Sequence, residues 1–377
     1  MSVGFAGVFA PLAVQLAFLP VWFEHVGFTS GQIGLLLGLP LLVRVLTTPP
    51  LLALADRVPD RKAYFAACAA AAFATSIGYF AFASFGPLLI VTILVAVATA
   101  VAIPLADAIA LSGVRRLAVE YGTMRLWGSV AFVAITLGVG WVVERTGVGF
   151  VPFAVAGTLL VTLGCGLYLP SAPRLEGHRP ATELLGDRTL LLALAAGAMA
   201  NAAHALFYGF SSIHWTGLGF SATTIGLLWG LGVAAEVALF ALAVPLLPGV
   251  RPLQLVAVGC AVGIVRWAMF TVDGGVVWFA SNALLHGATF GAVLLGVQRL
   301  IAERVDDARQ GSAQALASAM IAPTTAVVTL VSGWLYGALG GDAFWIMAAF
   351  AAVGLSLALL AIQPQSAGEG GETSDPE

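Results

Sequence analysis

Residues 27–44 read GFTSGQIGLLLGLPLLVR, and residues 219–236 read GFSATTIGLLWGLGVAAE. The two copies lie 192 positions apart in a chain of 377, about half its length. Over 27–39 against 219–231, eight of 13 positions are identical, Gly34/Gly226 and Gly38/Gly230 among them. A repeat at half-length is the mark of two similar halves facing each other. The last position of each copy differs in kind: Arg44 in the first half stands where Glu236 stands in the second. Both sit deep in apolar runs, where an ionisable side chain is costly and is by default a functional candidate. The repeat therefore predicts a two-fold pseudo-symmetric molecule with charge placed where its halves meet.

Composition fixes the solvent of that molecule. Hydrophobic residues make up 60% of the chain and charged residues 9%, against about 25% charged in soluble domains. So few charges cannot cover a water-facing surface, and the chain reads as a polytopic helical membrane protein. The 44 glycines fit this, because glycine lets membrane helices approach closely. A net charge of −3 gives no reason to expect nucleic acid. Cys68, Cys165 and Cys260 match neither a metal motif nor a disulfide framework. The N-terminus lacks a basic leader, so the first apolar stretch is expected to be a retained helix.

About 20 apolar residues span a bilayer. Twelve stretches qualify: 5–23, 30–55, 63–83, 87–112, 123–143, 149–169, 189–213, 222–246, 252–272, 275–300, 312–336 and 342–362. The expected organisation is an N-terminal six-helix bundle (1–170), a polar linker (171–188), a C-terminal six-helix bundle (189–363) and a disordered acidic tail (364–377). The loops after even-numbered stretches carry twelve Arg and Lys, the opposite loops only Arg145. That bias places both termini in the cytoplasm, with the cell (inner) membrane as the expected location.

The loop after the second stretch reads ADRVPDRK, with Asp56, Arg57, Asp60, Arg61 and Lys62 as its charged core. It resembles the D-R-x-G-R-K motif of the major facilitator superfamily, with Pro59-Asp60 in place of one glycine and Leu52 in place of another. YGTMRLWGSVAF (121–132) and HALFYGFSSIHWTGLGFSATTIGLLWGLGVAAE (204–236) resemble the 3-phenylpropionic acid transporters, a group similar to lactose permease. The likeness extends over nearly all twelve helices. It implies an all-α major facilitator fold of two pseudo-symmetric six-helix bundles. It also implies substrate contacts at Asp107 and Arg125, and proton coupling through Glu236, Arg266 and His286.

The residues can be weighed without the resemblance. Glu236 lies 14 residues into its helix, about 21 Å at 1.5 Å per residue. Burial there favours the neutral carboxyl, which suits a group that loads and releases a proton; the bland alternative is a permanently protonated structural Glu. Arg44 and Arg266 lie at similar depth and stay charged, so each needs a carboxylate, a carbonyl or a water-filled cavity. Asp107 and Arg125 fall at adjoining ends of one hairpin, as a substrate pair or a structural clamp. Asn201, His204 and Tyr208 share one helix face, and Asn282, His286 and Thr289 another. Such stripes line a cavity or a helix–helix contact. Trp22, Trp215, Trp229, Phe207 and Phe210 are candidates for an aromatic wall, Trp22 and Trp215 equally for interface anchors. His25 and His214 read best as solvated side chains near the outer surface.

No nucleotide loop, HExxH or paired-Cys motif is present. An enzyme is not expected, nor any cofactor, and transport would run on a gradient. The expected partners are a small-molecule substrate, protons and the lipid bilayer, with the protein acting as a monomer. The leading reading is a proton-coupled importer of a small aromatic carboxylate. A sugar or nucleoside symporter, an efflux carrier of the same fold, and an intramembrane enzyme or sensor are the alternatives. The ledger of buried charge favours an acid: Arg44, Arg125 and Arg266 stand against Asp107 and Glu236. If Arg125 pairs with Asp107 and Arg266 with Glu236, Arg44 is left over, and the expectation is that Arg44, Arg125 or both hold the substrate carboxylate.

Overall fold

The computed structural model describes residues 1–117, 121–170, 181–306 and 309–363. Among these residues there are helices and turns and no strand. Ten helical runs are long and apolar enough to cross a membrane, eleven with the bent pair Ser2–Ala17 and Leu19–Val26 taken as one. One of the ten is the 53-residue run Gln310–Ile362, which consists of two helices joined at Gly340–Ala343. Both pack against the 15-residue helix Arg188–Ala202. A straight 53-residue helix would be about 80 Å long, so the run must fold back, and the described residues form twelve spans.

In chain order they are α1 (Ser2–Ala17 and Leu19–Val26), α2 (Ser30–Ala55), α3 (Arg61–Ser76 and Gly78–Ala81), α4 (Phe85–Thr99 and Ala102–Leu117), α5 (Tyr121–Thr146) and α6 (Val151–Leu167). There follow α7 (Arg188–Ala202 and Ala205–Gly217), α8 (Ala222–Leu246), α9 (Pro252–Phe270), α10 (Val276–Leu284, Gly287–Ala292 and Val293–Arg304), α11 (Gln310–Leu339) and α12 (Phe344–Ile362). Each overlaps one of the twelve expected stretches. The expected linker lies outside the described residues over 171–180, and 181–186 form a 3-10 turn. The expected tail, 364–377, lies outside them too.

The contacts repeat with the sequence. In the first half α1 packs on α5 and α6, α3 on α4 and α6, and α2 on α4. In the second, α7 packs on α11 and α12, α9 on α10 and α12, and α8 on α10. The halves meet through α2 with α11 and α5 with α8. The repeated glycines make this possible. A Cβ on Gly34 would lie 2.8 Å from Gly333 Cα, and one on Gly226 would lie 2.3 Å from the Thr136 carbonyl oxygen. Only glycine permits backbones so close.

Many large apolar side chains, such as Ile90, Phe153 and Val277, remain exposed. In a soluble protein they would form aggregating patches; here they face the bilayer. The first segment pair of the second half is the exception, with 72% of its most apolar window buried. Spans α1, α4, α7 and α10 are each broken in mid-course. Their interruptions are a 41° bend at Phe18, a break at Ala100–Val101, another at Ala203–His204, and a π-helical turn over Gly287–Ala292. Broken spans at this depth are tolerated only where they line protein or a cavity.

Candidate substrate cavity and charged network

A cavity of about 290 Å³ lies between the halves. It is walled by all four broken spans together with α5, α8 and α9. Along α8 it begins at Leu228, just beyond Gly226, and runs past Trp229 and Glu236 to Phe240. Phe9, Phe132, Phe207, Tyr208 and Phe290 complete an aromatic lining. Trp229 is fixed by its indole N–H, which donates to Ser212 Oγ at 2.9 Å. Tyr208 stacks on it at 6.2 Å between centroids.

The second half contributes a buried polar network around Arg266, which is 0% exposed. Its origin is the break in α7. The N–H of His204 bonds the Asn201 carbonyl rather than that of Ala200. The Ala200 carbonyl is taken instead by His204 Nδ1 at 2.8 Å. A carbonyl can only accept, so Nδ1 carries the proton and Nε2 presents a lone pair. That lone pair meets Arg266 Nη1 at 3.1 Å. The same nitrogen lies 2.8 Å from Thr289 Oγ1 and 3.1 Å from His286 Nδ1, so its two N–H groups are shared among three acceptors. Arginine has no acceptor, so His286 too must hold its lone pair at Nδ1, and its proton sits on Nε2. Nε2 points to Glu236 Oε2, 3.7 Å away. Asn282 closes the network, accepting from Arg266 Nε at 3.4 Å and donating to the Arg266 carbonyl at 2.7 Å. Phe207 and Trp267 cover the guanidinium faces at 4.9 and 4.5 Å.

One expectation is corrected here. Arg266 and Glu236 do not form an ion pair: every hydrogen-bond partner of Arg266 among the described residues is neutral, and His286 stands between the two. The physical reason is the π-helical turn, which brings His286 and Thr289 to Arg266 together.

In the first half the expected pair is present. Arg125 Nη1 donates to Asp107 Oδ1 at 3.0 Å. Tyr121 joins them, donating its hydroxyl to Asp107 at 2.6 Å and accepting from Arg125 at 3.1 Å. Sequence reasoning passed over Tyr121, although it lies four residues before Arg125 and so on the same helix face. Arg125 and Glu236 both line the cavity.

Other candidates lie elsewhere. Asn201 donates to its own helix at Gly197 and does not line the cavity. Arg44 is also absent from its walls; it borders a smaller recess. Trp22 and Trp215 are 6% and 1% exposed, so they are core residues and not interface anchors. Phe210 stacks on Tyr336. His214 is 8% exposed, with Tyr336 and Asp273 at 3.3 and 3.2 Å, and is therefore buried rather than solvated. His25 is exposed as expected. In the loop motif Asp56 pairs with Arg61, which is buried, while Asp60 caps α3 through the Lys62 N–H at 2.9 Å and Arg57 is exposed.

Known proteins place this architecture. The family model described as the MFS_1 like family matches residues 5–347. A probable 3-phenylpropionic acid transporter of Escherichia coli strain K12 is 32% identical over 92% of this chain and 93% of its own. A maltose permease of Geobacillus stearothermophilus is 26% identical over 88% of this chain and 84% of its own. The solved nucleoside transporter NupG, 17% identical, superposes with a TM-score of 0.75 over 96% of both chains, which speaks for the fold. A match over nearly the whole chain, with twelve spans in two facing sets of six, means that this integral membrane protein belongs to the MFS_1 like family and has the major facilitator fold.

Proposed function

We propose that this secondary transporter couples the movement of a small aromatic carboxylate to protons. The observation that carries the reading is the cavity itself. One space of about 290 Å³ has aromatic walls, a cation at Arg125 and a carboxyl at Glu236 backed by the His286–Arg266 network. That volume suits a single ring with a short acid chain. The ring would lie among Phe132, Phe207 and Trp229, and the carboxylate would turn to Arg125. Glu236 is the proton site, because His286 presents it an N–H while Arg266 keeps the opposite ring nitrogen occupied. The relative of 32% identity, named a probable transporter of such an acid, supports the substrate class.

The charge ledger supports it as well. Arg125 is neutralised by Asp107, and Arg266 has only neutral partners. When Glu236 takes up a proton, the second half carries an uncompensated cation. A carboxylate bound in the cavity that Arg125 and Arg266 both line restores the net balance there, so proton and substrate bind cooperatively. The two bundles would then rock about this site, exposing it to each side in turn. By the loop charges the termini are cytoplasmic and the close α2–α11 and α5–α8 contacts lie toward the outside.

The test compares an aromatic acid with its amide in purified protein. The acid should bind at least about ten-fold more tightly, the worth of one charge-assisted hydrogen bond of about 1.5 kcal/mol. Its affinity should rise as pH falls, until the acid itself protonates. Equal affinity for acid and amide would favour a neutral sugar or nucleoside instead.

A further inference from the structure

Arg44, midway along α2, is a partly buried cation that the cavity does not use. Among the described residues its guanidinium has no hydrogen-bond or ion-pair partner; only its carbonyl is engaged, by Thr47 and Thr48. It borders a recess of about 40 Å³ inside the first half. Gln15 of α1 faces the same recess, and its side chain too has no partner among the described residues. The threonine hydroxyl protons there are already donated, that of Thr99 to Val95 O at 2.8 Å and that of Thr162 to Gly7 O at 2.6 Å.

Donors therefore outnumber acceptors at the recess, where the Gln15 amide oxygen and the two threonine hydroxyl oxygens are the side-chain acceptors. Guanidinium offers five N–H groups and the Gln15 amide two more, and no carboxylate faces them. A cation held at mid-span without a counter-charge costs several kcal/mol. Water needs about 10–15 Å³ of such space per molecule, so the recess holds about three or four waters or one small ion. An aromatic ring does not fit. Leu12 and Ile103 wall both the recess and the main cavity, so the two are adjacent but separate.

We propose that Arg44 and Gln15 form an anion site, distinct from the main cavity, for one compact monovalent anion of the halide class. The anion supplies the counter-charge that the first half lacks and holds α1 against α2. The proposal does not depend on the transported substrate being an acid.

Thermal unfolding of the purified protein at constant ionic strength tests it, with sodium chloride or bromide against sodium gluconate, whose anion is too large for the recess. The wild-type Tm should climb with halide concentration, as mass action requires for a ligand of the folded state. Arg44→Gln should abolish the climb and, in gluconate, should match or exceed the wild type, because it removes an unpaired charge. Gln15→Leu, a milder change, should shift the halide midpoint to higher concentration, which keeps the test open if Arg44→Gln does not fold. 3-Phenylpropionate should raise Tm on top of saturating halide. A wild type indifferent to halide, or an Arg44→Gln variant with an unchanged response, would overturn the site. Competition between halide and the aromatic acid would overturn its separateness.

Discussion

The two copies of the repeated stretch begin alike and are finished differently. In α2, Thr29 caps the helix and Gln32 reaches back to the Thr29 N–H at 3.0 Å, a closed capping box. In α8, Ser221 caps the helix, but Thr224 stands where Gln32 does and is too short to return the bond. Glu144, at the end of α5 in the other half, comes in instead and accepts from the Thr223 N–H at 3.2 Å. One helix start is self-sufficient; the other is completed across the interface between halves. The glycines differ in the same spirit. Gly34 and Gly38 both press on backbone, of Gly333 and Leu330. Gly226 presses on the Thr136 carbonyl, but the nearest neighbours of Gly230 are side-chain atoms, of Val133 at 3.3 Å and Thr136 at 3.6 Å, with backbone no nearer than 4.0 Å. At the far end of the repeat, Arg44 is turned into a recess within one half, while Glu236 is turned into the cavity between both. The repeat thus preserves the crossing of helices, and the two halves diverge in what they do with polar groups.

The largest effect expected from breaking this comparison is at the glycines. Gly38→Ala puts a Cβ 2.5 Å from the Leu330 backbone, where nothing can yield. Overpacking of about 1–3 kcal/mol should cut transport ten-fold or more. Gly230→Ala, its repeat partner, should leave uptake within a factor of two or so, because a side chain can move aside. Uptake assays on the pair decide whether α2–α11 is the tighter seam. Next comes the contrast between cations. Arg266→Gln removes the donor to acceptors on His204, Asn282, His286 and Thr289, and should destabilise the protein by about 3 kcal/mol or more at about 1–3 kcal/mol for each group left unsatisfied. Arg44→Gln orphans none, so a thermal melt should separate the two variants widely. The smallest effect concerns the caps. Thr29→Ala should cost about 1 kcal/mol of stability without changing the balance of conformations, because its box is local. Glu144→Ala should leave stability nearly unchanged but shift that balance a few-fold toward separation of α5 from α8. Labelling of a cysteine placed at Thr223 would read this out.

Much of the fold was legible because a bilayer imposes a simple rule on sequence. Apolar length set the number of spans, and the repeat set the symmetry. The Asp107–Arg125 pair was legible too, since a hairpin brings those positions together. The network around Arg266 was only half legible. His204, Asn282 and His286 stood out as polar residues in apolar runs, but their junction depends on two interruptions that the pattern does not announce. The break at Ala203–His204 has neither proline nor glycine beside it. The π-helical turn at Gly287–Ala292 shifts the register by which His286 and Thr289 reach Arg266. With regular helices assumed, pairing Arg266 with Glu236 was the natural guess. His214 was misplaced for another reason: proximity to a helix end says nothing of the corner at Gly340–Ala343 and the Phe270, Phe279 and Phe344 rings that cover it.

The account rests on Glu236 as the site where a proton enters the cycle. The direct measurement is transport by Glu236→Gln in proteoliposomes, with an imposed pH gradient in one arm and equal labelled and unlabelled substrate pools in the other. Glutamine mimics the protonated carboxyl, so exchange between the pools should continue at a rate near that of the parent protein. Accumulation driven by the pH gradient should be lost, because no proton can be released. Continued accumulation of substrate against its gradient by Glu236→Gln would contradict the account and move the coupling site elsewhere.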